Sequence, residues 1–164
     1  HAFDELSYPG DSIKQEYKED ILVGYRWHDT KKIPALFPFG HGLSYTTFTY
    51  GKPVASAKAM AADGMLTVTV AVKNTGSIAG KEIVQLYVGD DKCSVLRPVK
   101  ELKHFAKVAL APGEEKSVTF TLTPDDLKFY DEASAAWKYE PGKFKAYVCA
   151  SSADVRGVVS FEMQ

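Results

Sequence analysis

From residue 46 onward the chain alternates apolar and polar residues with a period of two, and this restricts most of it to strands. The clearest run is Leu66, Val68, Val70 and Val72, interleaved with Thr67, Thr69, Ala71 and Lys73. Successive strand side chains point to opposite faces, so the spacing predicts a strand with one face buried. Val118, Phe120 and Leu122 repeat the pattern, with Thr119 and Thr121 outward. So do Phe144, Ala146 and Val148, and then Val159, Phe161 and Met163. Residues 46–50, 54–60 and 102–110 are further expected strands, and residues 83–88 are apolar on both faces except at Gln85, as a central strand would be. Turn signals separate these runs: Asp63-Gly64, Asn74-Thr75-Gly76, Gly89-Asp90-Asp91, Ala111-Pro112-Gly113 and Pro141-Gly142. Residues 90–100 read as a long loop, and Pro124-Asp125-Asp126 opens a turn or single helical turn through Phe129-Tyr130.

Seven or so short strands without a long helix describe an all-β chain folded as an antiparallel β-sandwich. Tyr147-Val148-Cys149 suggests an immunoglobulin domain, which places Tyr two residues before a core Cys. The partner cysteine should then lie on the strand at 66–72, which has none; Cys93 falls in a loop, and Trp137 comes too late to be the core tryptophan. A sandwich of fibronectin type III kind, without the disulfide, fits better. Two cysteines are too few for a disulfide scaffold and match no zinc spacing, so Cys93 and Cys149 are expected as free thiols.

The region before residue 46 has a different character. Residues 1–18 read as coil, with a turn at Tyr8-Pro9-Gly10-Asp11. A short helix is expected over 18–28, with Glu19 and Asp20 in its first turn and Ile21, Leu22, Tyr25 and His28 on one face. Gly24 weakens that helix by about 1 kcal/mol relative to Ala. The run Leu36-Phe37-Pro38-Phe39-Gly40-His41-Gly42-Leu43-Ser44-Tyr45 follows. Pro38 presses Phe37 towards an extended conformation, and the large apolar side chains must be buried somewhere. The run is too apolar for a flexible linker and is expected to join two domains.

Composition excludes several classes. The net charge is −1, from 20 basic and 21 acidic residues, so nothing favours nucleic acid or an anionic membrane. No apolar run approaches the roughly 20 residues of a membrane span. The single asparagine, Asn74, begins no glycosylation sequon. A chain beginning His1-Ala2-Phe3, without Met, is expected to be processed or cut from something longer.

The segments Ile21-Leu22-Val23-Gly24-Tyr25-Arg26 and Leu36 to Phe48 together resemble the C-terminal region of family-3 glycoside hydrolases of the β-glucosidase type. The likeness continues through Val72-Lys73-Asn74-Thr75-Gly76, Gly80-Lys81-Glu82-Ile83-Val84-Gln85-Leu86-Tyr87-Val88, Arg97-Pro98-Val99-Lys100-Glu101-Leu102, Pro112-Gly113-Glu114 and Glu140-Pro141-Gly142-Lys143-Phe144. The resemblance implies a catalytic (β/α)8 barrel, an α/β sandwich domain and a fibronectin type III-like domain in the parent. Residues 1–44 then correspond to the end of the α/β sandwich domain and the connector, and residues 45–164 to the fibronectin type III-like domain. The family's nucleophilic Asp and acid/base Glu have no matching positions here, so no catalytic residue carries over. No cofactor is expected. The barrel and α/β sandwich domains are the expected partners, with glycan a substrate of the parent only. Such an enzyme is expected in the periplasm or outside the cell.

The residues read independently agree. Retaining glycoside hydrolysis needs two carboxyl groups about 5–5.5 Å apart. Glu19 and Asp20 read as helix-terminal charges, and Glu114 and Glu115 as a turn pair. His1, His28, His41 and His104 show no ligand spacing, so no metal site is expected. The aromatics near the junction remain. Tyr25, Trp27, Phe37, Phe39 and His41 either pack between domains or border the parent's pocket, and packing is preferred because buried aromatics supply interface energy more often than they form sites. Lys92, Arg97 and Lys100 lie in the 90–100 loop, which is either an ordinary solvated loop or one reaching towards other domains. A non-catalytic structural domain is the leading reading. The alternative is a stand-alone carbohydrate-binding or adhesion module, which needs an exposed strip of aromatics on the sandwich.

Overall fold

The computed structural model describes residues 10, 11 and 13–164. The coil expected over residues 1–9, with His1 and the first half of the Tyr8-Pro9-Gly10-Asp11 turn, lies outside the described residues. Two largely antiparallel sheets face each other across one apolar core. The first is centred on β4 (Leu66–Asn74), which pairs with β7 (Glu115–Leu122) on one side. On its other side lie β1 (Phe48–Tyr50) and β2 (Val54–Ala55). The second sheet runs β3 (Ala59–Met60), β11 (Val155–Met163), β10 (Gly142–Cys149), β5 (Gly80–Asp90), β6 (Glu101–Leu110).

The alternating positions do what their spacing requires. Leu66, Val68, Val70 and Val72 are buried, and they meet Val118, Phe120 and Leu122 across β4 and β7. The facing sheet contributes Val84, Leu86, Val88, Phe144, Ala146, Val148, Phe161 and Met163. Phe144 and Phe161 stack with centroids 5.7 Å apart. Each such side chain stabilises the fold by about 1.5–3 kcal/mol on burial. Thr69 and Thr119 point outward and meet through their hydroxyl oxygens at 2.9 Å.

Three expectations need correction. The helix expected over 18–28 is instead α1 (Tyr25–Lys31). Residues 18–21 form a turn, because Asp20 and Gly24 adopt positive φ of 53° and 63°, which a right-handed helix cannot contain. The strand expected over 54–60 is two short strands in different sheets: β2 pairs antiparallel with β4, and β3 pairs parallel with β11. The chain crosses between sheets at residues 56–58. The break expected between residues 50 and 54 is present between β1 and β2, where buried Pro53 has no N–H to donate to a ladder.

The helical turn α2 (Pro124–Leu127) ends before Phe129. Phe129 and Tyr130 belong to β8 (Phe129–Asp131), which forms a hairpin with β9 (Ala136–Lys138) that the alternation did not reveal. Cys93 and Cys149 are free thiols, Cys149 buried and Cys93 half-buried.

Candidate docking surface

The central strand β5 is buried on both faces from Val84 to Gly89. Its inner face meets the core. Its outer face is covered by the segment that precedes the sandwich. Tyr25 of α1 stacks on Phe39 at 5.2 Å and meets Tyr87 of β5 edge-on at 5.7 Å. The Leu102 N–H donates to the Tyr25 hydroxyl at 2.9 Å, and the Ser152 N–H donates to the Phe39 carbonyl at 2.8 Å. Gly40 closes the seat: its φ is 79°, and a Cβ there would collide with the Gln85 side chain.

Gln85 is the lone polar residue of an apolar run, and its role is now clear. Its amide donates to the Ala150 carbonyl at 3.0 Å, and its carbonyl accepts from the Tyr87 hydroxyl at 2.6 Å. The side chain therefore ties β5 to the 150–152 turn beneath Gly40. Burial pushes the Tyr87 phenol well above its usual pKa, so it remains a donor at any physiological pH.

A buried ion pair fastens α1 to the end of the 90–100 loop. Lys100 Nζ lies 2.6 Å from Asp29 and 5.6 Å from the centre of the Tyr87 ring. The Val99 N–H donates to Thr30 Oγ1 at 3.1 Å. Sequence reasoning missed Asp29, Thr30, Tyr87 and Ser152 as parts of this site. The isolated polar position at Gln85 was the one local signal available.

The sequence-derived site residues divide into three groups. Tyr25 and Phe39 are brought together, as described. Phe37 and His41 form a second ring contact at 5.9 Å, largely in solvent, with His41 lining a shallow cleft beside Ala150, Asp154 and Arg156. Trp27 is half-buried under Lys31, whose ammonium lies 5.1 Å from the ring, and its buried Nε1 has no hydrogen-bond partner among the described residues. Arg97 stands apart: its side chain is 8% exposed, ion-paired to Asp90 at 3.4 Å and Glu101 at 3.3 Å. It also donates to the Leu127 carbonyl at 3.0 Å. Arg26 reaches the same Glu101 at 3.4 Å, so α1 links the two regions.

A cleft of about 560 Å³ lies between α1 and residues 33–39, lined by Tyr25, His28, Asp29, Phe37 and Phe39 among others. Beyond it the apolar run turns outward. Leu36 is 90% exposed, Phe37 73%, Leu43 94% and Tyr45 96%. Exposed apolar residues clustered this way mark an interaction surface.

Two other constellations bear on chemistry. Asp90, Cys93 and Glu140 place ligand-type atoms within 4.8 Å of one another. Arg97 already occupies Asp90, and Glu140 accepts from the Ser94 hydroxyl and then from the Ser94 N–H at 3.0 Å, which together lower the Glu140 pKa. Burial raises the Cys93 pKa and so disfavours the thiolate that a metal requires. Glu82 accepts from the Tyr50 hydroxyl at 2.7 Å, and burial raises its pKa. Its bonded partner is a phenol, and Asp154, a carboxyl that bears on it, is itself paired to Arg156 at 2.7 Å.

Residues 82–152 match the model of the fibronectin type III-like domain. The chain is 67% identical over 162 residues to beta-glucosidase BoGH3A of Bacteroides ovatus, covering 99% of this chain and 22% of that protein. It is 51% identical over 150 residues to thermostable beta-glucosidase B of Acetivibrio thermocellus, covering 92% of this chain and 20% of that protein. Among solved structures, DesR, a beta-glucosidase from Streptomyces venezuelae, superposes with a TM-score of 0.87 at 41% identity, over 98% of this chain and 20% of its own. The Bifidobacterium adolescentis GH3 beta-glucosidase gives 0.88 at 35% identity, over 96% and 23%. In sequence and in fold, the chain corresponds to the C-terminal region of family-3 glycoside hydrolases of the β-glucosidase type and carries their fibronectin type III-like domain.

Proposed function

We propose that this chain acts as a non-catalytic structural domain of a β-glucosidase-type enzyme that hydrolyses terminal β-glucosides. It covers apolar surface on the catalytic barrel and the α/β sandwich domain and so stabilises them. Residues 1–44 are the end of the α/β sandwich domain and the connector, and residues 45–164 are the bracing domain.

The observation that carries this reading is the mismatch along residues 36–45. The backbone is pinned to the sandwich through Phe39, yet Leu36, Phe37, Leu43 and Tyr45 face solvent. A fixed segment presenting large apolar side chains is preorganised to dock. Tyr25, Trp27 and Phe39 serve as the inner anchor, while Phe37 and His41 meet the neighbouring domain. Arg97 acts from within, holding the 90–100 loop in shape. The glycan substrate is bound by the domains that precede this one, and export to the periplasm or beyond suits an enzyme acting on glycans.

Deleting the positions of residues 45–164 from the enzyme that carries them should lower its thermal midpoint and its soluble yield. Full activity with an unchanged midpoint would overturn the proposal. A finer variant, Leu36→Ser with Leu43→Ser, should destabilise that enzyme while leaving the midpoint of the 164-residue chain unchanged.

A further inference from the structure

The β8–β9 hairpin has no evident structural purpose for its two largest exposed side chains. Tyr130 and Trp137 sit directly opposite each other in the register. Their rings meet edge-to-face, with centroids 5.7 Å apart and planes at 72°. Tyr130 is 50% exposed and Trp137 65%, and all three residues of β9 are exposed. The pair therefore contributes little to the core.

The same two rings line a groove of about 660 Å³ between the hairpin, the start of α1 and the 95–98 loop. That volume lies within the range of about 300–1,000 Å³ usual for small-ligand sites. The groove is held in shape. Arg97 lies 5.6 Å from the centre of the Phe129 ring, on the opposite face of β8 from Tyr130. Asp131 accepts from Ser134 Oγ at 2.5 Å and from Lys138 Nζ at 2.5 Å, locking the hairpin.

Charge narrows the ligand. Four basic residues of the lining, Arg26, Arg97, Lys103 and Lys128, stand against four acidic ones, Asp20, Glu101, Asp131 and Glu132, and Glu101 alone holds three of the bases within 3.5 Å. A groove balanced in this way does not select an anion or a cation. It offers flat apolar faces beside many hydrogen-bonding groups. A neutral pyranose chain is complementary: its C–H faces pack on aromatic rings, and its hydroxyls both donate and accept. We propose that this groove is an ancillary binding site for neutral pyranose oligosaccharides, with the Trp137 ring as its stacking face and Tyr130 edge-on beside it. The site goes beyond the bracing role, since it lies apart from the exposed run at residues 36–45 and takes a sugar rather than a protein domain.

The test is to titrate the 164-residue chain with cellotetraose and laminaritetraose and follow the two indole N–H resonances by NMR. The expected result is a saturable shift of the Trp137 signal at about 1 mM sugar, with Trp27 unmoved as the internal reference. Trp137→Ala should weaken binding at least about tenfold, while Trp137→Phe retains part of it. Both substitutions are at an exposed position, so the thermal midpoint should not move. Four results would overturn the proposal: no shift up to about 10 mM of either sugar, a shift at Trp27 alone, undiminished binding by Trp137→Ala, or tighter binding of an anionic oligogalacturonate. Loss of Trp137 exposure in the full-length enzyme, with no sugar response there, would instead assign the groove to a neighbouring domain.

Discussion

Cys149 and Glu82 show how burial resets single residues. Cys149 is buried at the end of β10, and desolvation pushes its thiol up to about 12. Cys93 is also raised but remains half-exposed in its loop. A thiol-reactive dye at pH 8 should therefore modify Cys93 in the folded chain and reach Cys149 only on unfolding; two equally fast thiols would contradict this. Glu82 has a folded pKa raised above its ordinary value of 4.5, chiefly by desolvation. A raised carboxyl contributes stability that is fully present below its unfolded pKa and is lost as pH rises through the folded one. Glu82→Gln, which keeps an acceptor for Tyr50, should thus gain thermal midpoint relative to the unmodified chain as pH rises above 4.5. Melting curves at pH 4 and pH 7 give the comparison.

Between elements, the decisive contact is α1 on the outer face of β5. Lys100 and Asp29 are 9% and 15% exposed at the side chain, so removing one partner strands the other's charge in a poorly solvated site. Lys100→Met should cost about 2–3 kcal/mol, somewhat below the about 3–5 kcal/mol of a fully buried pair. Double replacement with Asp29→Leu should recover much of that loss, as urea unfolding of the three variants would reveal. Gly40→Ala tests the same seat sterically. It forces a Cβ onto Gln85 at a positive φ, and local opening should then extend to Tyr25 and Phe39. Hydrogen exchange at the Leu102 and Ser152 amides, which bond to Tyr25 and Phe39, reports that opening directly.

For the whole molecule, the sandwich and the segment before it share their stabilisation. A chain starting at residue 45 should keep the two-sheet core but leave Tyr87 and Gln85 uncovered. Its midpoint should fall below that of the 164-residue chain, which thermal melts of the two would show. The strand pattern, the buried residues of β4, β7, β10 and β11 and the family likeness were all legible in the sequence, because a period of two reports locally which face is apolar. The helix position was not, because the positive φ angles at Asp20 and Gly24 are backbone states that the side-chain pattern does not report. Nor was the path of residues 54–60, where short edge strands take their sheet from whichever neighbour is unpaired. The docking site was half legible. Its aromatics stood out in the sequence. Its fastening did not, since Tyr25 bonds Leu102 across 77 positions and Lys100 bonds Asp29 across 71. The sequence by itself determined the strands, the inner faces and the kinship. Only the tertiary structure decided that the outer face of β5 is covered, that Arg97 lies inside and that Trp137 stands in the open, because each depends on contacts between segments far apart along the chain.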